Sequence, residues 1–351
     1  MRVLVTGGNG FLGQAIVRRL LARGDMVRSL QRSASLELET LGVDCVKGDI
    51  ADAAIVQQAA AGCQAVFHVA AKAGVWGRYD DYHHANVIGT RNVIAACQSH
   101  RICKLIYTSS PSVVFNGKDE VGIDESVSYP SSYLAHYPLT KAIGERMVMT
   151  ANGDQLATVS LRPHLIWGPG DNHLVPRLIQ RARSGQLRQV GNGKNLVDTT
   201  YIDNAADAHL LAFDRLEIGS KAAGKAFFIS NEEPQPLWDL INRLLACADV
   251  APITGRISAT TAYAVGGVLE TIYTLTRRTD EPRMTRFVAR QLSTAHWFRL
   301  DAARRDLGYV PRITIEEGLR RLTESLKSTS VGSREQDLAC DRVPGLPDGS
   351  S

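Results

Sequence analysis

The chain predicts a doubly wound parallel α/β sheet with a smaller C-terminal lobe, on three observations. Short apolar runs rich in β-branched residues alternate with stretches of helical periodicity from the start of the sequence. The first apolar run stops at closely spaced glycines and a helical pattern follows at once. Beyond about residue 150 the alternation weakens and Pro- and Gly-containing loops interrupt it. The 351 residues suffice for one large or two modest domains with a sizeable core.

The elements follow in order. Val3 to Val5 reads as a buried strand, and Ala15, Ile16, Leu20 and Leu21 recur at helical spacing after it. Between them lie Gly7, Gly10 and Gly13. Gly7 permits a tight turn, Gly10 lets backbone N–H groups approach a pyrophosphate, and Gly13 lets helix and strand pack closely. The positive end of the helix dipole adds to phosphate binding. A dinucleotide site on a Rossmann-type sheet is the reading, against a turn-rich surface loop. Met26 to Leu30 is the second strand and ends at Gln31 and Arg32. An acidic residue there would hydrogen-bond the ribose of NAD, whereas Arg32 suits a 2′-phosphate, so NADP(H) is expected over NAD(H).

Val43 to Val46 and Ala65 to His68 are the next strands, closed by Asp49 and by the small residues Ala70 and Ala71, which let the backbone pass close to a coenzyme. Asn86 opens a helix to about Ser99, and Leu105 to Thr108 is a fifth strand ending in Ser109 and Ser110. Thr158 to Leu161, Asp198 to Ile202 and Ala226 to Ile229 read as strands, with 162–170 a loop. Val175 to Ser184, Asn204 to Phe213 and Pro236 to Ala246 read as helices. Residues 1–160 are thus mainly the nucleotide-binding domain and 161–327 mainly a substrate lobe interleaved with the sheet. Residues 328–351, rich in Ser, Gly, Pro and charge, read as a flexible tail.

A net charge of +4 with mixed signs gives no footprint for nucleic acid. Six scattered cysteines show no metal or disulfide spacing, so they are expected to be reduced and no metal is expected. With a core strand at the start and no leader pattern, a cytoplasmic protein is expected. Residues 262–275 are apolar but interrupted by Glu270 and short for a membrane span. They read as a packed or partner-facing helix, with peripheral membrane contact as the other reading.

Chemistry concentrates at Tyr137 and Lys141, four apart where helical pattern resumes, hence on one face. A phenol has a pKa of ~10, and a neighbouring ammonium that favours the phenolate brings it toward acid–base use at neutral pH. Ser110, with Ser109 and Ser112 as near competitors, stands at a strand's carboxyl end, where open α/β sheets place ligands.

The Gly-x-x-Gly-x-x-Gly loop, serine and Tyr-x-x-x-Lys pair resemble the extended short-chain dehydrogenase/reductases. Residues 107–117 (YTSSPSVVFNG), 191–198 (GNGKNLVD), 201–204 (YIDN) with His209, and 228–234 (FISNEEP) are similar to the 3β-hydroxysteroid dehydrogenase family, over roughly residues 1–326. Within it, 73–83 (AGVWGRYDDYH), 166–171 (IWGPGD), 295–298 (AHWF) and 304–309 (RRDLGY) resemble the 2-alkyl-3-oxoalkanoate reductases of bacterial long-chain olefin biosynthesis. The sterol-4α-carboxylate 3-dehydrogenases share the 191 and 228 phrases and are the alternative. A nucleotide-sugar epimerase or dehydratase is a more distant one.

The resemblance implies Ser110, Tyr137 and Lys141 as catalytic residues, with Asn86 a structural asparagine. It also completes a coenzyme set of Gly7, Gly10, Phe11, Leu12, Gly13, Arg32, Asp49, Ile50, Ala70, Ala71, Lys72, Tyr137, Lys141 and Pro163. A hydrophobic substrate, a long-chain β-keto or β-hydroxy acid or a sterol, is expected in a cleft lined by Trp76, Val175, Leu178 and residues 263–275. Lys72, Arg78, His83 and His173 are candidates for its carboxylate. A homodimer through helices near Asn86 and Tyr137 is implied, and assembly with pathway enzymes through 263–275 is a further expectation.

Overall fold

Seven parallel strands form the centre of the molecule; the inner ones are short and buried on both faces, which is why they read as continuous apolar runs, whereas the edge strand Asp44–Lys47 is only partly covered. The computed structural model describes residues 1–340, with side chains described through residue 328. In chain order the sheet and its helices are β1 (Arg2–Thr6), α1 (Phe11–Ala22), β2 (Met26–Gln31), β3 (Asp44–Lys47), β4 (Ala65–His68), α2 (Gly89–Ser99), β5 (Lys104–Thr108), α3 (His136–Thr150), β6 (Ala157–Pro163), α4 (Ile202–Arg215) and β7 (Lys225–Ile229). The spatial order β7-β6-β5-β4-β1-β2-β3 makes it doubly wound about β1 and β4.

Strand alternation divides the core between two layers. Val3, Val5, Phe67, Ile106 and Leu161 share one apolar cluster with Ile16 and Leu20 of α1 and Ala205, Ala208 and Phe213 of α4. Leu4, Val66, Leu105 and Tyr107 point the other way, toward Val56 and Ala59 of the helix Ala53–Ala60, Val93 and Cys97 of α2, and Val148 of α3. The cysteines in these layers are packing residues. Burial pushes the Cys97 thiol up to about 12, and the side chain of Cys340 lies outside the described residues.

The small lobe is made of shorter pieces. A four-stranded sheet joins Gln235–Pro236, Leu196–Val197, His296–Phe298 and Glu120–Ile123. Around it pack the helices Leu174–Arg183 and Leu237–Ala246, and the long helix α5 (Ala259–Leu275). The chain therefore crosses between lobes: Glu120–Ile123 belongs to the small sheet, whereas β7 returns to the large one.

Several boundaries differ from the sequence reading. Asn86 does not open its helix. An α-turn already begins at Tyr79, where Asp80 and Asp81 favour a helix N-terminus, and a π-turn over His84–Ile88 leads into α2. Residues 162–170 are not all loop: β6 extends to Pro163, and Ile166–Trp167 pairs with Thr200–Tyr201. The strand expected from Asp198 is only Thr200–Tyr201, because the Asp198 side chain accepts from the Thr199 amide and α4 starts at Ile202. The last helix, α6 (Ile315–Cys340), continues through the start of the stretch read as a tail, and residues 341–351 lie outside the described residues. No helix among the described residues is long and apolar enough to cross a membrane.

Candidate active site

The glycine loop is shaped by contacts that exclude side chains. Gly7 has φ +71, and a Cβ on it would lie 2.9 Å from the Ala70 Cα; one on Gly13 would lie 2.1 Å from the Gly7 carbonyl oxygen. The Gly7 amide donates to Leu30 O at 2.8 Å and the Gly10 amide to Gly7 O at 2.9 Å, which ties the turn to β2. At Gly10 only the Gly7 oxygen, at 3.2 Å, is near an added Cβ. Gly10 is the N-cap of α1, no side chain caps it, and no acid stands in the first turn. The N–H groups beginning at Phe11 and Leu12 are thus left for an anion, and the cradle fits a pyrophosphate.

The rest of the expected coenzyme set lines the carboxyl edge of the sheet. Arg32 and Ser33 are exposed just past β2, and Asn9 of the glycine loop donates to Ser33 Oγ at 3.3 Å. Past β3, Asp49 Oδ1 accepts from the Ala51 amide. Ile50 is buried, and its carbonyl accepts from Asn92 of α2 at 3.1 Å. Past β4, the Ala70 amide donates to Thr6 Oγ1 at 3.2 Å, and Ala71 stays exposed. Pro163 ends β6 and is buried, and the Ser109 amide donates to Leu161 O at 2.6 Å.

Asn86 clamps three segments together. Its Oδ1 accepts from the Lys72 amide at 2.8 Å, while its Nδ2 donates to Lys72 O at 3.1 Å and to Thr140 Oγ1 at 3.0 Å. It therefore locks the loop after β4 against α3, which carries Tyr137 and Lys141. Gly144 lets α3 come that close, since a Cβ there would sit 2.7 Å from the Tyr107 hydroxyl and 2.9 Å from Asn86 O.

Ser110 and Tyr137 are brought together, and Lys141 lies one turn further along the helix that carries Tyr137. Ser110 Oγ accepts from the Ser112 amide at 3.2 Å and shares a 2.9 Å hydrogen bond with Ser112 Oγ. Burial raises the Tyr137 phenol above its ordinary pKa, opposed by hydrogen bonding from Ser110. Lys141 differs from the simple expectation of an ammonium aimed at the phenol. Its Nζ donates to Thr108 O at 2.6 Å and lies 4.1 Å from the centre of the Tyr107 ring. Burial lowers its pKa to about 7, countered by Glu145. The ammonium is thus held at the carboxyl end of β5.

Behind this layer lies a polar support that the sequence reading missed. His68 bonds Thr6 Oγ1 at 2.8 Å and Thr90 Oγ1 at 3.0 Å; burial and the nearby Lys141 charge hold its pKa at about 3, so it is neutral. Glu145, fully buried, accepts from Arg162 at 3.0 and 2.7 Å and from the Tyr129 hydroxyl at 2.6 Å. Burial would raise its carboxyl, but Arg162 outweighs that and lowers it. The available signal was Glu145 four residues after Lys141 on the same helix, with Arg162 next to Pro163.

Of the expected cleft residues, Val175 and Leu178 pack in the apolar core. Val175 also borders a cavity of about 630 Å³ between its helix and α6. Lys72 lies 3.6 Å from Asp81, and Arg78 lies 3.1 Å from Asp80. His173 is the N-cap residue of the helix Leu174–Arg183, and the His83 ring lies tilted, 5.4 Å from that of Tyr79.

Comparison with known proteins agrees with this geometry. The chain is 55% identical over 328 residues to a 2-alkyl-3-oxoalkanoate reductase of Stenotrophomonas maltophilia, covering 93% of this chain and 99% of the relative. It is 52% identical over 330 residues to the protein of the same name from Shewanella oneidensis, covering 92% and 85%. The human decarboxylating sterol-4-alpha-carboxylate 3-dehydrogenase is 34% identical over 336 residues, covering 93% and 88%. A solved structure, that of gox2253, superposes with a TM-score of 0.75 at 27% identity, covering 93% and 98%. MoeE5, solved with UDP-glucuronic acid and NAD, reaches 0.71 at 23% identity, covering 94% and 100%, and shares the fold. The chain is an oxidoreductase acting on a keto or hydroxyl group. The model of the 3-beta hydroxysteroid dehydrogenase/isomerase family matches residues 4–254, and the chain belongs to that family.

Proposed function

We propose that the protein reduces a 2-alkyl-3-oxoalkanoate to the 2-alkyl-3-hydroxyalkanoate with NADPH, as a step of long-chain olefin or hydrocarbon formation. One observation carries the substrate assignment: more than half of the residues are shared with reductases of that name over nearly the whole chain.

Tyr137 is the proton donor and Ser110 the hydrogen-bonding partner of the substrate oxygen. Bound NADPH supplies the hydride. As negative charge develops on that oxygen, the Ser110 hydroxyl stabilises it and the Tyr137 phenol protonates it. Lys141 holds the nicotinamide ribose and lowers the phenol's pKa once its ammonium leaves the Thr108 carbonyl. Gly7, Gly10 and Gly13, with the amides at Phe11 and Leu12, take the pyrophosphate. Arg32 takes the 2′-phosphate, which favours NADP(H) over NAD(H). Asp49, Ile50, Ala70, Ala71, Lys72 and Pro163 border the adenine and nicotinamide ends.

Direction follows from the substrate's chemistry. A β-keto acid loses carbon dioxide readily, so oxidation would destroy the product's carboxylate, whereas reduction preserves it. NADPH, which cells keep mostly reduced, drives reduction. The second reading, oxidation of a sterol-4α-carboxylate, is favoured by the 34% identity to the human enzyme of that name. A homodimer, a cytoplasmic location, and docking of pathway enzymes or a membrane surface on residues 262–275 belong to the same proposal.

Initial rates test it. Turnover of a long-chain 2-alkyl-3-hydroxy acid with NADP⁺ is expected, with NAD⁺ poorer. Silence there, with NAD⁺-dependent turnover of a 4-carboxysterol, would replace the reductase reading with the second one.

A further inference from the structure

Residues 72–78 form a flap whose contacts give the expected cleft residue Trp76 a definite position. Its root is fixed at Lys72, whose amide and carbonyl are both held by Asn86. Gly74 and Gly77 have φ of +134 and +132, conformations that favour glycine, and Trp76 stands between them. The Trp76 carbonyl accepts from the Tyr82 hydroxyl at 2.7 Å, and a Cβ on Gly74 would lie 2.8 Å from that hydroxyl. Tyr82 in turn has its ring 6.3 Å from His136, the residue before Tyr137. The flap is therefore anchored on the catalytic side at its root, Lys72, and at the Trp76 carbonyl.

Its tip reaches the other lobe. Trp76 Nε1 donates to Arg278 O at 3.1 Å, and its ring meets Tyr273 of α5 edge-on at 6.0 Å and 86°. Among the described residues this is the flap's one hydrogen bond to the small lobe. The receiving carbonyl is presented by the C-terminal turn of α5, where Arg277 takes φ +53 and the Arg278 amide returns to Tyr273 O at 2.9 Å. The Arg278 guanidinium lies 4.4 Å from the centre of the Tyr273 ring and pairs with Asp280. The indole thus spans from the loop beside Asn86 to a capped, braced helix end.

One neutral hydrogen bond and one ring contact make a connection that can open and reclose, because each is worth little in water. The indole also offers apolar surface between two glycines of positive φ. On the substrate class proposed above, we infer that Trp76 is a specificity-determining residue: it latches the flap to the end of α5 and forms the apolar wall against which one alkyl chain of the substrate lies. Chain bulk is read at the latch, while the β-keto acid head is handled by Ser110 and Tyr137.

The test compares Trp76→Phe and Trp76→Ala with the unaltered protein on two alcohols, 2-methyl-3-hydroxybutyrate and a long-chain 2-alkyl-3-hydroxy acid, both with NADP⁺. For Trp76→Ala, kcat/KM on the long-chain acid is expected to fall about tenfold to a hundredfold, mainly through KM, as loss of an aromatic wall implies. On the short acid it should change less than about threefold, with NADP⁺ binding unaltered, and Trp76→Phe should fall between. Hydrogen exchange in 72–78 and 273–280 should rise together in Trp76→Ala. Equal losses on both acids, no loss on either, or unchanged exchange would each overturn the inference. Failure of the substrate reading would instead show in the unaltered protein, as silence toward both acids.

Discussion

The two sides of the cleft are built to different standards. On the coenzyme side, three segments are tied down by hydrogen bonds: the glycine turn to β2, the loop after β4 to Asn86, and α3 to Asn86 through Thr140. Facing it, the small lobe has strands of two to four residues, and α5 leaves Val265, Val268, Ile272 and Leu275 between 40% and 78% exposed. The difference separates two tasks. Hydride and proton transfer require atoms fixed to a fraction of an ångström, whereas selecting an apolar substrate requires only a surface of suitable shape. It also makes sense of relatives named for an alkyl oxo acid and for a sterol carboxylate, at 55% and 34% identity.

If the coenzyme side is the fixed one, disturbing it should cost most. Ser110→Ala is expected to lower turnover by about a hundredfold to a thousandfold, since it removes a donor to developing charge. Coenzyme affinity should persist, as titration of NADPH fluorescence would show. Arg162→Met leaves the Glu145 carboxylate buried without its guanidinium and should cost about 3–5 kcal/mol of stability, read by denaturant unfolding. A loss below about 1 kcal/mol would mean that this pair does not support the site. Arg32→Asp should weaken NADPH binding roughly tenfold or more while sparing NADH, by loss of charge pairing with the 2′-phosphate.

The smallest effect probes the seam between the lobes. Glu120, on a small-lobe strand, is buried, and burial pushes its carboxyl up to about 8 against the pull of Arg162. Its folded pKa lies above the ordinary 4.5, so the folded state prefers the neutral acid. The stability this contributes is full below about pH 4.5 and is lost as pH rises through about 8. Glu120→Gln should therefore melt progressively higher than the unaltered protein between pH 6 and 9, and parallel melting curves would contradict the assignment.

Legibility in the sequence followed the same division. Strands of the large sheet were readable because both faces are apolar, and Ala65–His68 falls where the pattern placed it. The meeting of Ser110 and Tyr137 was readable because a strand end and a helix start bring them to the same edge of the sheet. The small lobe's pieces at Leu196–Val197 and His296–Phe298 are too short for any periodicity to show. Side-chain aim was hidden as well. Spacing puts Lys141 beside Tyr137, but only the packing of α3 on β5 sends its ammonium to Thr108 O. The Glu145–Arg162 pair joins two elements, so the position of Glu145 one turn after Lys141 hinted at a buried acid without naming its partner.

The most direct measurement is the rate of NADPH formation from a long-chain 2-alkyl-3-hydroxy acid and NADP⁺, for the unaltered protein and Tyr137→Phe side by side, with NADP⁺ binding measured in both. Turnover in the first, a fall of about a hundredfold or more in the second and equal binding are expected for a phenol that carries the proton. Full activity in Tyr137→Phe would contradict that role, and no turnover in the unaltered protein would contradict the substrate.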